Sequence, residues 1–298
     1  MNINNNFTPL AWHEGDRELQ SNRATYAYGH IVPLMAHNQS LLPFQIITAT
    51  GAVDMQSYVV RIYTPDGVLV RDNVAMPLEK VEFDNYDVII YNGGTISPDL
   101  PNGQYYLTLS SGGSTWYSDV VTVVASVLGL TKIEWWDEND LVFGAGRIVY
   151  KYEIGEETVQ YRNRMYFLEE IGMPEYINEE EGETRDGLFY ATRLLSGKKY
   201  NLRVVQASET MCDALRFVHL SDNVEVRDGY GRVYYCDSVL VTPEWVGGGA
   251  VASLAIEITT DTFVKQLGGY YFEDTPIVDE GTGVIGEGVI GDTFVIGV

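Results

Sequence analysis

Between Leu41 and about Val124, apolar positions recur every second residue in short runs. Leu42, Phe44 and Ile46 alternate, and Tyr58, Val60 and Ile62 do the same with Arg61 turned to the opposite face. Tyr105, Leu107 and Leu109 form a third run, and Val88–Tyr91 and Trp116–Val124 supply two more apolar strands. A period of two is that of a strand with one face buried. Turn chemistry separates the runs. Thr64-Pro65-Asp66-Gly67 carries proline second and glycine fourth, as a type I turn prefers, and Asn92-Gly93-Gly94 and Ser110-Ser111-Gly112-Gly113 close other strands. Short strands at this spacing predict an immunoglobulin- or fibronectin-like sandwich over residues 41–129.

The texture changes over residues 130–270. Strands are predicted at Lys132–Trp136, Ile148–Ile154, Tyr200–Val205, Val233–Val241 and Ala252–Thr259. Glu179-Glu180-Glu181-Gly182-Glu183 reads as a solvated loop. The period shifts to that of a helix only between Ser208 and Leu220, where Met211, Ala214, Leu215 and Val218 make one apolar stripe and Ser208 or Thr210 can cap it. The fold class is therefore mainly β: a sandwich followed by a β-rich domain with one packed helix. Residues 1–40, with Phe7, Trp12, Tyr26 and Tyr28, sustain neither period and are expected to be an extended arm lying against a neighbouring domain or subunit.

Residues 271–298 form a tail in which Val-Ile-Gly occurs three times. β-branched residues without proline make a segment that seeks a strand partner, while the glycines disfavour a helix. Val284, Ile285, Val289, Ile290, Phe294, Val295 and Ile296 are its candidate interaction residues. The alternative is a terminus that frays in solution.

Length, 298 residues, leaves room for about two domains. No run of 18 apolar residues is present to span a membrane. The start Met1-Asn2-Ile3-Asn4 lacks the features of a signal peptide, so synthesis and folding in a cytoplasm are expected, with Cys212 and Cys236 as packed free thiols. A net charge of −23, from 19 basic against 42 acidic residues, repels phosphate and argues against specific nucleic-acid binding.

The usual catalytic constellations fail one by one. His13-Glu14 has no second histidine at metalloprotease spacing, and His30, His37 and His219 stand apart. Gly144-Ala145-Gly146 meets Val149, and Gly229-Tyr230-Gly231 meets Tyr234, where a dinucleotide fingerprint needs a third glycine. Gly197-Lys198-Lys199 lacks the spacing of a phosphate loop, and no nucleophile elbow occurs. Asp137-Glu138-Asn139-Asp140 offers oxygen ligands, but Leu141 and Val142 exclude an EF-hand, leaving a looser cation site or a solvated turn. Trp116-Tyr117 and Trp135-Trp136 could stack on sugars, although strand alternation places one residue of each pair inside. The expectation is a non-enzyme without metal or cofactor.

One further observation concerns residues 131–268. Trp135-Trp136, Tyr161-Arg162-Asn163-Arg164-Met165-Tyr166, Gly172-Met173-Pro174-Glu175-Tyr176, Glu181-Gly182-Glu183-Thr184-Arg185-Asp186-Gly187, Cys212-Asp213-Ala214, Cys236-Asp237-Ser238, Thr242-Pro243-Glu244-Trp245 and Thr259-Thr260-Asp261-Thr262-Phe263-Val264-Lys265 resemble a family encoded by tailed bacteriophages and prophages of gut anaerobes. Leu42-Pro43-Phe44-Gln45-Ile46 and Pro101-Asn102-Gly103-Gln104-Tyr105-Tyr106-Leu107 resemble the domain that often precedes it. The resemblance implies a virion structural component of the tail or head–tail connector and carries no catalytic residues. The expected partners are further copies in a ring and other virion proteins, met through the terminal arms, with neither nucleic acid nor membrane bound specifically. The competing expectation is a glycan-binding or host-attachment module on a virion or cell surface.

Overall fold

The computed structural model describes residues 7–15, 34–144, 146–246 and 251–266. The long central strand of the first half is β8 (Gly103–Ser111). One of its edges pairs with β4 (Val59–Tyr63), which carries β5 (Leu69–Arg71). The other edge takes β9 (Ser114–Ser118) and then β10 (Val121–Val124). β1 (Trp12–Glu14) lies antiparallel to β9, and β2 (Leu34–His37) lies parallel to β10. A second sheet, β3 (Phe44–Ala49), β7 (Tyr86–Tyr91) and β6 (Glu79–Glu82), faces the first. This division into two sheets is immunoglobulin-like.

Local chemistry explains the details. The strand predicted over Trp116–Val124 is split because the Ser118 hydroxyl accepts the Leu107 N–H at 2.8 Å, taking over a carbonyl's place in the ladder. Tyr105 donates its hydroxyl to the Pro101 carbonyl at 3.1 Å, the tyrosine corner of such sandwiches. Gly103 makes room for it, since a Cβ there would sit 2.9 Å from the Tyr105 oxygen. Gly67 N–H bonds to the Thr64 carbonyl at 2.9 Å, closing the predicted turn. Within the sandwich, Trp12 packs on Phe44 and Phe44 on Tyr91, at ring separations of 4.7 and 5.2 Å. The leader's aromatic residues Phe7 and Trp12 thus fill this chain's own core.

The second half is dominated by one antiparallel sheet of seven strands. Its spatial order is β16 (Asn163–Phe167), β11 (Thr131–Trp136), β19 (Asn223–Arg227), β20 (Val233–Val246), β21 (Val251–Gln266), β18 (Leu188–Ser208) and β17 (Glu175–Arg185). Helix α1 (Glu209–Leu215) covers one end, capped by Ser208, whose hydroxyl accepts the Met211 N–H at 3.2 Å. The predicted stripe of Met211, Ala214, Leu215 and Val218 is buried. The helix is shorter than predicted because Phe217 N–H bonds back to Ala214, tightening the chain into a 3-10 turn over Val218–Leu220.

Two small hairpins join the halves: β12 (Leu141–Phe143) with β13 (Gly146–Ile148), and β14 (Lys151–Ile154) with β15 (Glu157–Gln160). They lie against the outer face of the three-stranded sheet, where Ile47, Val88 and Ile90 pack with Ile148, Val149, Tyr150, Tyr152 and Tyr161. The strand predicted over Ile148–Ile154 is interrupted here for a definite reason. The buried Gln45 amide donates to the Val149 carbonyl at 2.6 Å and accepts the Val149 N–H at 2.9 Å, replacing a strand partner. A Cβ on Gly146 would approach the buried Ile47 methyl to 2.6 Å, so any side chain there would have to displace it. Arg164 reaches across to the Ser40 hydroxyl at 2.7 Å and the Leu41 carbonyl at 3.2 Å. The seam between the halves is therefore packed and hydrogen-bonded like a core.

Candidate interaction surface

Strand β18 has 21 residues and spans about 70 Å at ~3.3 Å per residue. Its last described pair with β21 is Arg193 with Gln266. From Thr192 to Leu188 its described partner is β17 alone, so the two strands project as a hairpin arm. The turn is Asp186-Gly187, with φ of +51° and +78°, the type I′ geometry favoured for two-residue hairpins. Residues flanking such a turn form a hydrogen-bonded pair, here Arg185 with Leu188. Ladder alternation then directs the backbone N–H and C=O of Phe189 and Ala191 away from β17, toward the side on which β21 pairs farther along the strand.

The stretch Glu179–Glu183, expected as a loop, is thus part of strand β17. The residues of β17 over this stretch are all exposed, so its glutamates need not alternate with apolar residues. The Asp-Gly turn was the signal for this hairpin. Gly182 lies under Phe189, where a Cβ would come within 2.8 Å of the ring. Glu181 pairs with Arg193 across the strands at 2.9 Å. The tip is apolar: Leu188, Phe189 and Tyr190 are 62%, 53% and 50% exposed. Phe263 and Val264 are exposed near the arm's root. β17's outer edge carries Glu175, Glu179, Glu180, Glu181 and Glu183, a charge density that discourages pairing with another acidic strand.

The tail residues Val284, Ile285, Val289, Ile290, Phe294, Val295 and Ile296 lie outside the described residues. The hairpin arm of β17 and β18 was not among the elements expected from the sequence.

The remaining candidates have structural duties. Trp116 and Trp135 are fully buried, Tyr117 is half-buried, and the Arg162 guanidinium lies 4.0 Å over the Trp136 ring. His13 faces the buried Asp119 at 3.5 Å, His37 accepts the Gln39 N–H at 3.2 Å, and His219 lies in the 3-10 turn beside the Val239 carbonyl. His30 is outside the described residues.

In the acidic turn, Asp137 accepts the Asn139 N–H, Glu138 pairs with Lys151, and Asp140 takes the Tyr150 N–H and Arg147. These oxygens serve the chain's own donors, and among the described residues no metal-ligand cluster forms. Asp222 hydrogen-bonds Asp137, which raises the Asp222 pKa.

Cys212 and Cys236 are half-buried free thiols. Burial pushes them up to about 11 and about 12, which suits packing and not nucleophilic work. Gly229-Tyr230-Gly231 is a turn organised by Asp228, which accepts from the Tyr230 and Arg232 N–H groups and from Arg232 Nε. Burial alone would raise the Asp228 pKa, but these bonds and the Arg232 charge hold it below the usual value. Gly144 and Gly146 belong to the β12–β13 hairpin, and Gly197 lies within β18.

On one face of the seven-stranded sheet of the second half, Glu134 and Glu225 are cross-strand neighbours. Lys132 lies 3.1 and 3.7 Å from them, and Arg162 and Arg227 flank the pair. This is a self-neutralised ladder. No family model matches the chain, and no curated protein matches it either.

Proposed function

We propose that this chain is a non-enzymatic structural subunit of a phage virion, placed in the tail or the head–tail connector, and that it assembles with further copies. The observation that carries the reading is the β17–β18 arm. It projects an apolar tip, Leu188, Phe189 and Tyr190, beyond a body whose other sheets are packed together. A two-stranded ribbon is marginal in water by itself and gains from being covered. Contiguous exposed apolar residues mark contact surfaces, and head-to-tail contacts between identical subunits close naturally into rings.

Two further observations agree with it. Segments that resemble phage virion proteins include β16, the arm and the Cys236 stretch of β20, so the resemblance covers the scaffold that holds the arm. The charge of −23 suits a wall past which nucleic acid moves without adhering.

Sedimentation of the full-length protein across a concentration series tests this. A closed oligomer, or association that grows with concentration, is expected. A monomer at every concentration would remove the assembly reading, and turnover of a glycan or peptidoglycan by the purified protein would remove the non-enzymatic one.

A further inference from the structure

We infer that the cavity between strand β6 and the β14–β15 hairpin is a docking groove for an extended, basic peptide segment of a partner protein, which adds to β6 as an edge strand.

Two strand edges border this space. β6 ends the three-stranded sheet, and among the described strands β14 pairs only with β15. The Phe83 N–H donates to the Tyr86 carbonyl at 2.9 Å, which makes these two residues a hydrogen-bonded pair. Two residues back in the register, Val81 and Val88 exchange bonds in the same way. Lys80 and Glu82 therefore turn their N–H and C=O groups away from β7. On the hairpin, the Tyr161 N–H donates to the Tyr150 carbonyl at 2.8 Å. The same alternation turns the backbone groups of Lys151 and Glu153 away from β15. These four residues line one cavity of about 510 Å³, a size within the ~300–1,000 Å³ of binding pockets. β6, β14 and the turns that follow them are described throughout, and among the described residues no strand fills either edge.

An added strand gains affinity from main-chain hydrogen bonds and specificity from alternate side chains. Lys80 and Glu82 supply the first. For the second, Val81, Phe83, Val149 and Tyr152 give the cavity an apolar lining that suits every other side chain of the guest.

Charge selects the guest. Lys80 is already held by Glu82 and Asp87, Lys151 by Glu138, and Arg147 by Asp140. Each cation at the rim is thus matched by at least one carboxylate. Glu153 adds a further negative charge, and its described partner is the Thr158 hydroxyl at 2.8 Å. A basic strand is attracted to such a rim and an acidic one repelled. A second copy of this chain, at a net charge of −23, has the wrong sign.

Fluorescence anisotropy with the full-length protein tests this, using a labelled Lys-Val-Lys-Val-Lys-Val hexapeptide with blocked ends as the probe. Saturable binding is expected, about tenfold or more tighter than that of the matching Glu-Val repeat. N-methylation at every second residue, in one of its two settings, removes the amides that face β6 and should weaken binding by about tenfold. Glu82→Pro removes an N–H that faces the cavity, at an edge position that tolerates proline, and Glu153→Lys reverses a rim charge. Each variant should also weaken binding by about tenfold.

Binding that both variants retain in full is attraction to the acidic surface at large and overturns the groove. Full binding by both N-methylated settings overturns the added strand. Absence of saturation up to about 1 mM peptide overturns the proposal altogether. Should Glu82→Pro fail to give the wild-type circular dichroism, Glu153→Lys and the N-methylated peptides decide the question, since neither alters β6.

Discussion

The seam between the halves and the β17–β18 arm both consist of strands, yet they treat backbone groups in opposite ways. At the seam, an interrupted strand has its orphaned N–H and C=O met by the Gln45 amide, at 2.9 and 2.6 Å, and covered by Tyr150 and Tyr161. On the arm, comparable groups at Phe189 and Ala191 face outward with apolar side chains beside them. Buried backbone groups must be paired, whereas exposed ones can wait for a partner. The seam therefore holds this molecule together, whereas the arm leaves its apolar tip exposed to solvent.

Changes at the seam should be felt as stability. Tyr161→Ala empties a fully buried site and leaves Asn163 without the hydroxyl it accepts at 3.0 Å, so a loss of about 4 kcal/mol is expected in denaturant unfolding. Gln45→Ala strands two buried backbone groups and should lower stability by about 2–3 kcal/mol. A loss below about 0.5 kcal/mol would mean that the seam relaxes freely and that the contrast with the arm is overstated.

Alkaline pH probes the same region. Burial pushes Tyr91, Tyr150 and Tyr152 up to about 12, against about 10 for an unfolded tyrosine. Above pH 10 the unfolded chain sheds these protons first. Their contribution to stability is thus complete below about pH 10 and is lost as pH climbs toward 12. Melting temperature should fall over this interval while the last fraction of the tyrosinate absorbance, that of the buried rings, rises with it, and complete tyrosinate absorbance well before melting would contradict the closed core. At the arm, Leu188→Ser should change stability by less than about 0.5 kcal/mol, since the side chain is exposed. Amides of Phe189 and Ala191 should exchange with solvent well before those of Val88 and Ile90.

Much of the architecture was legible because one-sided burial leaves a period in the sequence. Val60 and Ile62 alternate with half-buried neighbours as the pattern demanded, and the helical stripe of Met211, Ala214, Leu215 and Val218 is buried. The arm was not legible in the same way. With both faces in solvent, β17 has no apolar period, and its glutamates suggested a loop. The Gln45–Val149 exchange was also invisible, because 104 residues separate the partners and neither residue type announces it. The pairing that roots the arm was hidden too, since the register that sets Arg193 opposite Gln266 is encoded in no local pattern.

The distance in sequence between Gln45 and Val149 also sets a schedule. At the ~5–20 residues per second of translation, about 5–20 s pass between the synthesis of one partner and the other. Once Tyr91 has been made, the three-stranded sheet can form before its cover exists, with Ile47, Val88 and Ile90 facing solvent or the ribosome surface for the rest of that interval. The nascent chain is thus most vulnerable to aggregation halfway through its synthesis. Premature termination near residue 130 would release a sandwich with its greasy side uncovered.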